Sequence, residues 1–130
     1  MLRITLIAGA LGLAASAAGA GPTNGVPAPG IEQDTAGKAI FTGKGNCFTC
    51  HGQDAKGTVL APDLTDDVWL NADGTLESVI EVIAEGVTAP KEHPAPMPAK
   101  GGANLTDAEV RAVAAYVLSL APKGEGAPSR

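Results

Sequence analysis

Apolar residues along this chain recur at helical spacing, and no stretch shows the two-residue alternation of a half-buried strand. From Gln33 to about Gly43, Ala36, Ile40 and Phe41 form one stripe while Lys38 and Lys44 can face water, and Gly43-Lys44-Gly45-Asn46 ends the helix. A second helix is predicted from about Thr75 to Glu85. Leu76, Val79, Ile80, Ile83 and Val87 share one face, Glu77, Glu81 and Glu85 form a solvated face opposite, and Gly86 is placed to cap the end. A third helix opens with the capping box Thr106 and Glu109 and carries Val110, Val113, Ala114, Val117 and Leu118 up to Ala121-Pro122. Ala61-Pro62-Asp63-Leu64 reads as an extended turn. Thr88 to Asn104, seventeen residues with four prolines and two glycines, is a loop long enough to suggest function. The pattern predicts an all-α domain whose three main helices are too few to fill their own centre.

Both ends of the chain fall outside this pattern. Residues 1–20 read as a signal peptide: Met1-Leu2-Arg3 is basic, Ile4 to Ala17 is apolar, and Ala18-Gly19-Ala20 suits a signal peptidase. The competing reading is an uncleaved anchor, since no charge appears between Arg3 and Glu32 and a span needs roughly 17–25 apolar residues. Residues 21–31, with three prolines and three glycines, form a flexible lead-in, 32–122 the domain, and 123–130 a flexible tail. No cysteine precedes Cys47, which excludes a lipid-anchored lipoprotein. Export places the mature protein in the periplasm, without membrane insertion once the leader is removed.

The formal charge of −5, made more negative by loss of Arg3, argues against nucleic acid and anionic lipid as partners and leaves other proteins. The aromatic side chains are Phe41, Phe48, Trp69 and Tyr116, so a domain of this size has a thin core unless something else fills it. The two cysteines lie too close in sequence for a disulfide between them to restrain the unfolded chain much. A flat apolar macrocycle would supply the missing filling.

Those cysteines stand in Cys47-Phe48-Thr49-Cys50-His51, the CxxCH arrangement of c-type haem attachment. Two thiols at this spacing reach the two vinyl groups along one side of a porphyrin and form thioethers, and the adjacent histidine brings an imidazole over the iron. A thioredoxin-like site would need a βαβ context, and no strand pattern precedes Cys47. A zinc site would want four ligands, and the chain offers two cysteines and two histidines. For the sixth iron ligand, Met97 is the sole methionine besides Met1 and sits in the proline-bracketed Pro94-Ala95-Pro96-Met97-Pro98, where little backbone freedom is left to lose. His93, in the same loop, is the alternative, and an open site is the third.

From about Thr35 to Leu120 the sequence resembles the class I, mitochondrial-like c-type cytochromes. The order of features carries the likeness: a first helix with Gly37 and Phe41, the CxxCH at Cys47, Cys50 and His51, Pro62, a late Met97, and a last helix with Tyr116. The resemblance implies the cytochrome c fold, three main helices wrapped around one covalently bound haem c. It implies that the first and last helices cross closely at Gly37 with Phe41 near Tyr116, and that the Pro62 carbonyl accepts a hydrogen bond from His51. Asp66-Asp67-Val68-Trp69 is similar to a segment of small bacterial members and of haem-bearing subunits of some terminal oxidases, which sets Trp69 beside the haem; a plain core or surface role is the competing reading. The metal ligands so implied are His51 and Met97, and the function is an electron carrier, not an enzyme, between redox partner proteins such as a dehydrogenase or a membrane respiratory complex. A labile or open sixth position would instead give a peroxidase or gas sensor. Lys44, Lys56, Lys91 and Lys100 flank the two ligand-bearing loops, which border one haem edge in the resembled fold; they would there form a basic collar for docking, and four unrelated solvated lysines is the competing reading.

Overall fold

The computed structural model describes residues 31–122. Along these run α1 (Ile31–Thr42), α2 (Cys47–His51), α3 (Leu76–Glu85), a 3-10 turn at Ala99–Gly102, and α4 (Asp107–Leu120). The leader expected over residues 1–20, the lead-in from 21 and the tail from 123 lie outside the described residues; Ile31, assigned to the lead-in from sequence, is the first residue of α1. The three periodic segments are the three long helices. Glu77, Glu81 and Glu85 are exposed, as a solvated face requires. No described helix is long and apolar enough to cross a membrane.

Helices α1 and α4 cross at backbone contact. Gly37 is buried there, and a Cβ on it would overlap the Ala112 carbonyl oxygen and Tyr116 Cβ, so only a residue without a side chain permits the approach. One turn on, the ring of Phe41 meets that of Tyr116 edge to face, centroids 5.7 Å apart and planes at 63°.

Local chemistry fixes where α4 begins. The Thr106 hydroxyl accepts from the Glu109 N–H at 3.2 Å, and the Glu109 carboxylate accepts from the Thr106 N–H at 2.9 Å, satisfying two amide donors that the first turn leaves free. Lys44, in the loop after α1, donates to both oxygens of the same carboxylate at 2.8 Å. That ammonium, with the Thr106 N–H, holds the Glu109 pKa below its ordinary value. At the start of α3, Thr75 Oγ1 accepts from the Ser78 N–H at 3.2 Å. Asp73 in turn accepts from the Thr75 N–H at 2.9 Å and hydroxyl at 2.6 Å, and hydrogen bonding by Ser78 and Thr75 pulls its carboxyl down to about 2.

The core is assembled between α1, α3 and α4. Phe41, Leu105, Val110 and Val113 are fully buried, joined by Val79, Ile83, Ala114 and Val117. Among the described residues the β structure is one isolated antiparallel bridge, Val87 with Met97, which ties the end of α3 to the middle of the proline-rich loop.

Candidate functional site

Cys47 and Cys50 fall on one turn of α2, three residues apart and therefore on the same side. Asn46 enters the turn in the left-handed region, φ 55°, and the Gly45 N–H donates to the Ile40 carbonyl at 2.8 Å, so the chain reverses sharply from α1. Both cysteines are half-buried unpaired thiols. Burial pushes the Cys47 thiol up, partly offset by a backbone hydrogen bond, with Cys50 adding to the rise. Sequence periodicity did not reveal α2, because five residues are too few to display a repeat.

His51 closes α2 and is 8 % exposed, the buried polar residue of the described core. Its Nδ1 lies 3.0 Å from the Pro62 carbonyl oxygen. A carbonyl can only accept, so Nδ1 carries the proton and Nε2 keeps its lone pair. Burial lowers the imidazole pKa, partly offset by that carbonyl and reinforced by His93, which keeps the ring neutral. The loop bringing Pro62 back is tied to α2 itself: the Gly57 N–H donates to the His51 carbonyl at 2.8 Å, and the Thr58 hydroxyl to the Cys50 carbonyl at 2.6 Å.

All of these groups open into one cleft of about 1190 Å³, counting its mouth. It is lined by Cys47, Cys50, His51 and Pro62, by His93, Pro96, Met97 and Pro98 of the proline-rich loop, and by the core residues Phe41, Val79, Ile83, Val113 and Val117. Trp69 also lines it, its indole packed against the backbone of Gly74, where a Cβ would lie 3.0 Å from Nε1. Leu60 and Val68 stand at the mouth with 42 % and 58 % of their surface exposed. Met97 and His93, the two sixth-ligand candidates, thus share the cleft. Met97 is held by a pair of backbone hydrogen bonds, Val87 N–H to Met97 carbonyl at 2.8 Å and Met97 N–H to Val87 carbonyl at 2.9 Å.

Two of the four lysines expected to form a docking collar have partners within the chain. Lys44 is engaged by Glu109, and Lys100 donates to the Leu105 carbonyl at 2.9 Å with the Asp107 carboxylate 3.8 Å away. Both ammonium groups are drawn to the electronegative atoms at the start of α4. Lys56 and Lys91 are exposed.

The donor set suits haem c: two thiols on one side of a turn, a neutral imidazole presenting Nε2, a thioether, and apolar walls. It does not suit a zinc ion, for no group of three or more His, Cys, Asp or Glu is gathered among the described residues.

A helical fold closed around a cleft with a CxxCH turn on its wall defines a c-type cytochrome. The cytochrome c family model matches residues 35–121, and the chain belongs to that family. It is similar to the Cbb3-type cytochrome c oxidase subunit CcoP of Rhodobacter capsulatus, 44% identical over 75% of this chain and 32% of that subunit. It is also similar to the Cbb3-type cytochrome c oxidase subunit FixPc of Rhizobium leguminosarum bv. viciae, 41% identical over 77% of this chain and 31% of that subunit. The chain therefore spans about a third of the length of these relatives. Among solved structures, cytochrome CL of Methylophaga aminisulfidivorans superposes with a TM-score of 0.54 at 28% identity, covering 68% of this chain and 53% of that one. Family membership carries with it haem c, covalently bound and containing iron, with Cys47, Cys50 and His51 at the attachment motif.

Proposed function

We propose that this chain is an exported carrier of single electrons, with Cys47 and Cys50 as the thioether attachments, His51 and Met97 as the two axial ligands, and redox proteins as its partners. The observation that carries the reading is the convergence of these four side chains on one apolar cleft, with the His51 tautomer set by Pro62. Haem c, when bound, supplies an iron that changes oxidation state by one electron. The Pro62 carbonyl, taking the Nδ1 proton, orients the imidazole and strengthens Nε2 as a donor. The Met97 sulfur, a weaker electron donor than a second imidazole, would favour the reduced metal and raise the potential. Phe41, Val79, Ile83, Val113 and Val117 exclude water, which acts in the same direction. Trp69 is assigned to the wall beside the ring.

The likeness to subunits of Cbb3-type cytochrome c oxidases supports a terminal oxidase of that kind as a redox partner. A dehydrogenase as the other partner and a periplasmic location are part of the proposal and rest on the sequence. With His51 and Met97 both holding the iron, small ligands would have no ready access to it, which would separate a carrier from a peroxidase or gas sensor. The test is an oxidised and reduced absorption spectrum, with denaturing mass measurement, on protein matured by haem-attachment machinery. A c-type reduced spectrum, the weak far-red band of a sulfur-iron bond, a haem-bearing mass and slow carbon monoxide binding are expected. Colourless protein at polypeptide mass refutes the whole reading, and rapid carbon monoxide binding refutes the filled sixth position.

A further inference from the structure

Met97 sits on a loop with little regular structure, and two glycines outside that loop's proline segment bear on how it is kept in place. Gly86, at the end of α3, has φ 76°, and a Cβ there would run into the Met97 carbonyl oxygen, lie 2.7 Å from the Ala99 nitrogen and 2.9 Å from the Pro98 carbonyl carbon. The next residue, Val87, makes both bridge hydrogen bonds to Met97. At the far end of the segment, Gly101, φ 66°, would place a Cβ on the Gly45 carbonyl oxygen, in the buried turn that leads into Cys47. Backbone therefore lies against backbone at both ends of the Met97–Gly101 segment, once against the end of α3 and once against the approach to the cysteines.

We infer that Gly86 and Gly101 are positioning residues that clamp the Met97–Gly101 segment between α3 and the Gly45 turn, and so set how firmly the Met97 sulfur is held toward the cleft against competing small ligands. The inference rests on Met97 as the sixth ligand. Glycine is required at both ends for two reasons at once: the left-handed backbone and the lack of room for any side-chain atom. A methyl group at either site has no flexible side chain to displace, because what it meets is main chain, so the segment itself must shift.

The experiment uses the full-length, haem-loaded protein and its Gly86→Ala, Gly101→Ala, Met97→Ala and Val110→Ala variants. Val110 is buried in α4 and does not line the cleft, so its variant reports lost packing alone. Imidazole is titrated into the ferric protein, and the far-red sulfur-iron band and helical circular dichroism are recorded alongside. A weaker hold on Met97 appears as tighter imidazole binding, because the competing sulfur is more often displaced. The expected result is an imidazole affinity raised about tenfold or more in both glycine variants, with a weakened band and retained helicity, while Val110→Ala lowers the unfolding midpoint and leaves band and affinity unchanged. Glycine variants within about twofold of the parent, while Met97→Ala binds imidazole far more tightly, overturn the clamp and leave the ligand assignment standing. A Met97→Ala protein identical to the parent overturns the assignment, and the clamp with it. If one glycine variant does not fold, the other decides; if neither yields folded haem protein, the glycines serve the fold as a whole and the clamp is refuted.

Discussion

Replacement of Phe41 by alanine tests the α1/α4 crossing most directly. The ring is wholly buried and stands edge-on to Tyr116, so truncation removes both its transfer free energy and its partner. Relaxation cannot close the gap, because Gly37 already holds the two helices at backbone contact one turn away. The loss should therefore fall within the ~3–5 kcal/mol typical of buried aromatic truncations rather than below it. About 0.5–1.5 kcal/mol of that belongs to the ring pair itself, and a double-mutant cycle with Tyr116→Leu isolates it. Taking ~4–8 °C per kcal/mol for a domain of this size, even a 3 kcal/mol loss lowers the melting temperature by roughly 12–24 °C. The assay is guanidinium unfolding of the haem-loaded protein followed by circular dichroism, where the midpoint should move and the slope stay constant. A loss under about 1 kcal/mol would mean that Phe41 is not packed as described, and the account of the crossing would be wrong.

Met97→Ala should abolish the far-red band and lower the reduction potential, as redox titration would show; an unchanged variant moves the assignment to His93. Thr106→Ala removes the hydroxyl that caps α4 and should cost about 1 kcal/mol in denaturant unfolding, with Thr106→Ser recovering most of it. The carboxyls of Asp73 and Glu109 are both held below their ordinary values in the folded protein, so each contributes stability that is present above the unfolded pKa and is lost as pH falls. For Asp73 the loss runs from the ordinary 3.8 down to about 2, and Asp73→Asn should flatten the acid-unfolding curve over that window. Glu109→Gln should flatten it below 4.5, and an acid limb unaltered in both variants would contradict the hydrogen bonding described around them.

Much of this architecture could be read from the chain because α3 and α4 bury one face each, and a buried face imposes its period on the sequence; in α1 the expected stripe is only partly right, since Ala36 is exposed and Gly37 with Phe41 forms the buried contact. The stripe of Leu76, Val79, Ile80 and Ile83, the capping box at Thr106 and the stop at Gly86 are local signals, and all three appear in the structure where the pattern puts them. The CxxCH pentapeptide is legible for a chemical reason, since thiol and imidazole spacing is constrained by the group they hold. Less accessible was whatever depends on distant residues meeting. The helical turn at α2 is too short for periodicity, and the Val87 bridge is one pair with no strand around it. The engagement of Lys44 by Glu109 joins residues sixty-five apart, and no local rule foretells that a lysine read as a docking charge is already taken. Gly86 was legible as a cap; its contact with the Met97 segment was not, because the two functions of that glycine look identical in sequence.

Phe41, Val79, Ile83, Val113 and Val117 belong at once to the packed interior and to the lining of the cleft. Natural selection consequently has no separate dials for durability and for redox tuning here. Any exchange among these five that changes the polarity of the cleft also alters the packing of the helices behind it, so such exchanges should move reduction potential and thermal tolerance together.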